Sequence, residues 1–590
     1  MKKYIIIYLV IIRWKIYVKE DGVISLLKSL QIIMSTVNIV SLGGVQETGK
    51  NLYVVEVDND IFILDAGMKY PPSDVFGVDI VLPDISYLIT NAKRIKGIFL
   101  THAHDDHIAA IPHILKYMKI PVYASLFTLS VVKELMQEHN LNPNNYELIA
   151  VSEKVVLRFG YVSVRFINVS HSVPQSMAIV INTPDGNVLY TGNYNFDQNG
   201  KSLYRTNIDK ICKVASEGVL ALMPECIATI NEINRGSIAE FVQRLKKIFT
   251  NAKGRIVISL FSTNLGRIQQ LIDIAVEHNK KVAIIGRKTQ RIVNIAINSG
   301  YLKVDPDRLV NLRYIDDRNK NNQSDLVVLV TGERHEPYFM LQRMCKKIDR
   351  LIHIEKNDTV VVLTRPAIGT EKMAARTLDM LFKETDGVII FPTNLILSAS
   401  SGAEEAKQMI NLTKPKYLLP VVGEYRHQYN MVNIAKSIDF KDENIIILEQ
   451  GNMISFVNGE YVGFSKTVPN GDILLDGKGL GDVNNAVIKD RELLAESGVL
   501  MVVSNINAKL RKVLSGPEFV AKGFYYDDED KEKMIEIFNK VKDKMFTGRF
   551  INWVEFKNEL KSEISKYVYK KTKTNPIIIP VIISTELENK

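Results

Sequence analysis

Leu100-Thr101-His102-Ala103-His104-Asp105-Asp106-His107 is the stretch on which the fold turns. Three imidazoles and two carboxylates fall within six residues, straight after the apolar run Ile98-Phe99-Leu100. Placing them together is costly unless a metal holds them, and imidazole and carboxylate are ligands that zinc takes. Side chains alternate with period two along a strand, so His102 and His104 can leave a strand end on the same side. Asp106 and His107 sit on the turn into an apolar-periodic segment, residues 108–118. One short loop can therefore face two ions. The chain has only 10 histidines in 590 residues and three fall here, which speaks against a polar loop with chance histidines.

Outward from this loop the chain reads as short strands. Residues 52–57 and 61–64 are β-branched and aromatic, with Asp58-Asn59-Asp60 as the turn between them. Asp65 ends the second strand just as the histidine loop ends its own, so the two loops can share a rim. A buried Asp65 would orient a ligand imidazole from behind; the plainer alternative is a turn aspartate. Two later strand ends point to the same place. Residues 162–169 run into Ser170-His171-Ser172, and residues 187–190 run into Thr191-Gly192-Asn193-Tyr194. His171 is thus a candidate ligand from a separate strand.

At 590 residues the chain has room for several domains, and 46% hydrophobic with 24% charged residues is ordinary for globular proteins. The net charge of +9 fits a nucleic-acid partner through phosphate attraction, and equally a lysine-rich proteome. Cys212, Cys226 and Cys345 show no C-x-x-C spacing, which argues against a disulfide framework and for a reducing compartment. Residues 4–12 form an apolar run flanked by Lys2-Lys3 and Arg13. That run is short of the about 20 residues a bilayer needs, and no small-x-small cleavage site follows. Met34 opens a cleaner start, so residues 1–33 are expected to be an untranslated upstream stretch or a disordered extension. No membrane association is expected.

Asp65, the H-x-H-x-D-H loop, His171 and the Thr-Gly-x turn together resemble the metallo-β-lactamase fold. The wider sequence resembles ribonuclease J, of the β-CASP branch that acts on nucleic acids. The matching stretches include residues 42–51 (LGGVQETGKN), 81–85 (VLPDI), Phe261-Ser262-Thr263-Asn264, Gly286-Arg287, 420–426 (PVVGEYR) and 476–483 (DGKGLGDV). The resemblance covers nearly everything after Met34. It implies an α/β chain: a metallo-β-lactamase αββα sandwich at 35–237 and 396–455, with a β-CASP α/β domain inserted at 238–395. A linker at 456–485 would lead to a small α+β C-terminal domain at 486–590. Residues 255–302 agree, alternating strand (255–261), helix (268–278) and strand (281–285); residues 326–331 and 359–364 read as further buried strands. Such alternation suggests a mostly parallel sheet. After Asp528 the tail reads as helix over 531–545 and as strand through Ile577-Ile578-Ile579. The C-terminal domain of the family supports dimers and tetramers, so a homodimer or a hetero-oligomer with a ribonuclease J paralogue is expected.

The resemblance also implies site residues, and here the chain departs from its family. Asn193 stands where the family has an Asp bridging two metals, and an amide bridges cations poorly. Val422 stands where the family has a His, and cannot ligate. Ser400 stands where the family has a His thought to assist catalysis. What survives is His102, His104 and His171 for one ion, and Asp106 with His107 for a second. A three-imidazole set with water is a catalytic zinc arrangement. The expected cofactor is zinc, one ion or two held weakly, with manganese or magnesium as alternatives; His335, His427 and His113 are the histidines left to substitute in space for what is lost, and nothing in the sequence places them there. Ser398, Ser400, Arg426, Asn264 and Arg267 lie in segments resembling the family's RNA-contacting stretches, and arginine's planar fork suits phosphate.

Two functions stay open. One is a metal-dependent ribonuclease, a 5′–3′ exonuclease with endonuclease cutting as a further mode, in which Asp106, His107 and the metal activate attack on phosphorus during RNA processing and decay in the cytoplasm. The other is a catalytically weakened RNA-binding subunit that assembles with an active ribonuclease J. The intact histidine loop favours the first, and Asn193, Ser400 and Val422 favour the second. A β-lactamase activity is disfavoured by the inserted and C-terminal segments.

Overall fold

A computed structural model of the chain describes residues 35–71, 77–198, 202–230, 238–261, 264–310, 324–332, 335–350, 352–366, 369–396, 400–476, 485–547 and 551–585. The proposed extension at 1–33 lies outside them. The chain forms two compact units. One joins the described residues up to Met68 with Pro83–Gly471, and the other joins Lys69–Leu82 with the described residues from Asp472 onward.

The first unit is built on two sheets packed face to face. The larger has eight strands in the order Glu460–Thr467, Asn452–Val457, Thr36–Gly43, Leu52–Val57, Asp60–Leu64, Ile95–Phe99, Val122–Ala124, Leu148–Ala150. The smaller has six: Tyr417–Leu418, Val219–Met223, Gly186–Tyr190, Met177–Thr183, Val162–Asn168, Val156–Phe159. Alternation along each strand fills two layers of core. In Met177–Thr183, Ile179 and Ile181 enter the space between the sheets, against Phe62, Leu64 and Phe99. Ala178 and Val180 point the other way, into a core shared with Ile211, Met409, Ile410 and Met431. Those four come from helices Ile208–Ser216, Ala403–Thr413 and Tyr425–Lys436, which cover that face. Each such aliphatic burial contributes roughly 1.5–3 kcal/mol. Helix Leu126–Glu138 accompanies the larger sheet and buries Phe127, Val132 and Met136 at helical spacing; Ser125 caps its N-terminus by accepting from Thr128 N.

Between Met223 and Ala403 an α/β body is inserted. Its five strands are all parallel, in the order Lys281–Ile285, Leu326–Gly332, Ile256–Phe261, Thr359–Val362, Gly387–Ile390. The buried pair Arg255–Asp358, Nη2 to Oδ2 2.6 Å, joins two neighbouring strand starts. From Phe261 the chain runs through helix Leu265–Glu277 to one side of the sheet. From Val362 it runs through helix Glu371–Glu384 to the other. Two adjacent strands whose exits diverge leave a crevice at their carboxyl ends, the usual ligand position of open α/β sheets.

The second unit has a three-stranded sheet in the order Lys512–Lys522, Val499–Asn507, Ile577–Thr585, antiparallel then parallel. Helices Asp528–Met545 and Trp553–Thr572 cover one face, packing Phe538, Phe556 and Leu560 on Leu500, Val502 and Ile506. Strand Asp472–Leu475 pairs with Ile80–Pro83 in the same unit. Residues 456–485, expected as a linker, thus contain the edge strand Glu460–Thr467 of the large sheet as well as this strand. The edge strand's largely exposed side chains hid it from hydrophobic patterning. The architecture is the αββα sandwich with an inserted α/β domain and a small α+β domain that the resemblance implies. No helix among the described residues is long and apolar enough to cross a membrane.

Candidate metal centre and cleft

Strand Ile95–Phe99 ends against the sandwich rim, and the histidine loop leaves it as extended backbone before the short helix Asp105–Ile108. His102 Nε2 lies 3.0 Å from His104 Nδ1, and His171 Nε2 lies 3.2 Å from the same nitrogen. Zinc–nitrogen bonds of about 2.0–2.1 Å at tetrahedral angles put donor nitrogens about 3.3–3.4 Å apart. The three rings therefore converge at the spacing of one metal's ligands. They are the one such trio of His, Cys, Asp or Glu among the described residues. Burial, then the charges of the neighbouring histidines, hold His102 and His104 well below the ordinary imidazole range, so both stay neutral as ligands must. Their rear nitrogens are also engaged: His102 Nδ1 with Thr101 Oγ at 2.9 Å and His104 Nε2 with Ser172 Oγ at 3.2 Å. Such partners fix ring orientation and raise ligand basicity. Spacing, neutrality and rear support all fit a bound ion.

Asp65 is fully buried and collects this support. It accepts from Thr101 N at 2.8 Å, from Thr101 Oγ at 2.9 Å and from the Tyr190 hydroxyl at 2.8 Å. Its Oδ2 lies 2.7 Å from His107 Nδ1, while its own N–H donates to Phe99 O at 3.0 Å, tying the two strand ends. Burial pulls His107 down, but the charges of Asp106 and Asp65 outweigh it and raise the imidazole to about 9. His107 Nε2 and Asp106 Oδ2 are 3.5 Å apart. Between them stands the amide of Asn51, whose Nδ2 donates to Asp106 O at 3.0 Å and lies 3.2 Å from His107 Nε2.

Opposite these residues the donors are weak. Asn193 donates through Nδ2 to Glu225 Oε2 at 2.6 Å and to Ser400 Oγ at 3.1 Å. Its Oδ1 is buried and has no hydrogen-bond partner among the described residues. Glu225 also accepts from Tyr194 N at 2.8 Å and Ser401 N at 2.7 Å. Burial nevertheless pushes its carboxyl up to about 7. Val422 adds only carbon. Its backbone sits at φ 54, a region costly for a β-branched residue, held by Val422 N donating to the Tyr53 hydroxyl at 3.0 Å.

Of these, His104, Asp106, His171, Ser172, Asn193 and Val422 line a cavity of about 370 Å³ whose other wall is the inserted domain's crevice. Asn264 and Arg267 lie on that wall, and Asn264 also caps helix Leu265–Glu277 by accepting from Arg267 N at 3.1 Å. Ser400 lines the cavity too. Arg426 does not: its side chain is 63% exposed and pairs with Glu424 at 2.9 Å. Ser398 lies outside the described residues. None of the spare histidines joins the trio. His427 Nδ1 accepts from Glu424 N at 3.0 Å, His335 precedes helix Glu336–Cys345, and the His113 ring packs on Tyr117. Sequence reading missed Glu225, Asn51, Phe241 and Arg365. The one signal for Glu225 was a carboxylate just past the apolar strand Val219–Met223.

Comparison with known proteins agrees along the chain. Residues 253–381 match the model of the ribonuclease J β-CASP domain, residues 486–585 that of the ribonuclease J C-terminal domain, and residues 74–208 that of a β-lactamase superfamily domain. The chain is 34% identical to ribonuclease J2 of Bacillus subtilis, covering 93% of this chain and 98% of that one. It is 36% identical to ribonuclease J 2 of Staphylococcus epidermidis, covering 92% and 98%. A solved structure of a protein of unknown function from Enterococcus faecalis superposes with a TM-score of 0.51 at 17% identity, over 71% of this chain and 100% of that one, and shares the fold.

Proposed function

The chain belongs to the ribonuclease J family, and on that premise we propose that it hydrolyses RNA phosphodiesters with a single divalent ion held by His102, His104 and His171. The observation that carries this reading is the convergence of those three imidazoles at 3.0 and 3.2 Å with their rear nitrogens engaged. A divalent ion bound there supplies Lewis acidity and lowers the pKa of a coordinated water. Asp106, open to the cavity, would accept the proton of the attacking water as the water oxygen bonds phosphorus and the bond to the leaving 3′-oxygen breaks, that 3′-oxygen taking a proton from solvent. His107, held by Asp65 at 2.7 Å and buried behind Asp106, positions that side of the site. Zinc is the ion the imidazole set suits, with manganese or magnesium as alternatives. Asn264, Arg267 and Ser400 hold the RNA chain across the cleft. Attack runs from the 5′ end, with internal cutting as a second mode. The domain plan is a sandwich at 35–237 and 396–455, a β-CASP insert at 238–395 and a C-terminal domain at 486–590. The protein acts in the cytoplasm in RNA processing and decay.

A second reading has its own support. Asn193, Ser400 and Val422 supply no charge and no imidazole on the Asp106 side, and a two-ion clamp on attacking and leaving oxygens needs both. On this reading the chain is a weakened RNA-binding subunit, paired with itself or with an active paralogue. One experiment separates the two. A 5′-monophosphorylated RNA is incubated with the purified protein and zinc or manganese, beside Asp106→Ala. Loss of RNA that vanishes in the variant supports the ribonuclease. RNA that stays intact with both, yet is bound by both, favours the subunit.

A further inference from the structure

Arg365 stands at the carboxyl end of strand Thr359–Val362, on the cleft wall opposite the histidine trio. Its backbone is fixed: the Thr364 hydroxyl lies 3.1 Å from Ser259 Oγ on the neighbouring strand, and Thr364 O accepts from the Tyr338 hydroxyl at 3.1 Å. One end of the guanidinium is used. Nη2 donates to Ile396 O at 2.8 Å and to Thr393 O, the turn by which the chain returns to the sandwich. The Nε–H is buried and meets no acceptor among the described residues. Arg267, on the adjacent strand's exit, lines the same cavity. Its guanidinium carbon sits over the Phe241 ring, 3.5 Å from the centroid, and its Nη1 donates to Gln270 Oε1 at 2.9 Å.

Neither arginine has a carboxylate partner among the described residues. Two guanidinium charges on one half-buried wall, one with an unused N–H, are unfavourable until an anion arrives. The wall is also the crevice where adjacent parallel strands diverge, the position at which open α/β sheets take ligands. Arginine keeps its charge at any physiological pH and offers donors in a plane that matches phosphate.

We propose that Arg365, beside Arg267, forms a phosphate site on the inserted domain's wall of the cleft, where it takes a backbone phosphate of the RNA strand. The inference rests on the reading that this cleft holds RNA, and names the group that grips it from the insert side. Arg365 is a binding residue here, and its structural tie to residues 393–396 is a separate role.

The test is binding of a fluorescein-labelled oligouridylate with a 5′-hydroxyl to the full chain across a salt series. The chain is compared with Arg365→Gln and Arg365→Lys, each checked for unaltered thermal unfolding. For a single strand each phosphate contact contributes about −0.7 to the slope of log K against log salt. Arg365→Gln should weaken binding about tenfold and flatten the slope by about 0.7, and Arg365→Lys should restore the slope while recovering part of the affinity. Unchanged affinity and slope in Arg365→Gln overturns the proposal. So does weakened binding with an unchanged slope that lysine fails to rescue, since that marks Arg365 as a clamp for the return turn only. Failure of the unsubstituted chain to bind the RNA at all sinks the reading of the cleft itself, a result distinct from either.

Discussion

The two sides of the metal centre differ in kind. On one side, His102, His104 and His171 converge within hydrogen-bond distance, and the rear nitrogens of His102 and His104 are engaged by Thr101 and Ser172. On the other, Asp106 shares the cavity with a neutral amide, a hydroxyl and a valine, His107 is buried behind it, and the Asn51 amide already contacts both. The lesson is that a metal site is made by agreement among elements, not by its loop alone. The loop offers imidazole and carboxylate donors to both sides. Only where His171 joins from a second strand end does the set close around one point. The Asp106 side depends on residues 193, 400 and 422, each from a different part of the chain.

The largest effect expected tests the strong side. His102→Ala should take metal content after dialysis from about one ion per chain to near none, because two imidazoles seldom hold zinc. Elemental analysis measures it. An ion retained in that variant would mean that the Asp106 side carries the metal, and the comparison would be inverted.

Next in size is repair of the weak side. Asn193→Asp with Val422→His should add a second ion and raise RNA hydrolysis about a hundredfold, the scale on which one charge-stabilising group acts. Metal content and the rate on 5′-monophosphorylated RNA are read together. A second ion without faster hydrolysis would move the deficit to Ser400.

Glu225 gives the third test. Its folded pKa of about 7 exceeds the ordinary 4.5, so the folded state holds this proton more tightly than the unfolded one. The stabilisation is complete below about pH 4.5 and is lost as pH rises through 7, about 3 kcal/mol in all. In chelator-treated protein His102 and His104, held below the ordinary imidazole range, gain stability over the same interval, so the fall is read as a difference: between pH 5 and pH 8 the chain should lose more stability to urea than Glu225→Gln does. The Asn193 amide helps Glu225 tolerate its charge, so Asn193→Asp should steepen the fall. A pH dependence identical in the chain and in Glu225→Gln would mean that the neutral side of the site is not under the electrostatic load described.

How much of this could be read from sequence follows the same division. His102, His104, Asp106 and His107 are adjacent, so their meeting is nearly guaranteed by the chain. His171 and Asp65 were legible because each follows an apolar run and so marks a strand end. Glu225 was not, because its place depends on Val219–Met223 lying parallel beside Gly186–Tyr190, a non-local pairing. Asn51 closes the stretch 42–51 that carries the family resemblance but shows no ligand spacing to mark its role, and Arg365 follows a buried strand with no motif of its own. The insert's strands at 281–285 and 326–331 came out within a residue because their faces are all apolar. The pairing of Thr36–Gly43 with Asn452–Val457 joins the two ends of the sandwich and lies beyond any local pattern.

The smallest effect expected is also the most discriminating. Among the described residues Asp65 reaches the trio through the Thr101 hydroxyl behind His102, and it contacts His107 directly at 2.7 Å. Removing a rear partner of a metal ligand typically costs 10–100-fold in affinity. If the ion sits on the trio, Asp65→Asn acts on one of three ligands at one remove, and the loss should be about tenfold, the low end of that range. If the ion is shared with His107, the loss should approach a hundredfold. Competition against a zinc chelator of known affinity distinguishes the two. The small value keeps the two sides of the site separate, and the large value joins them through the Asp65 carboxylate.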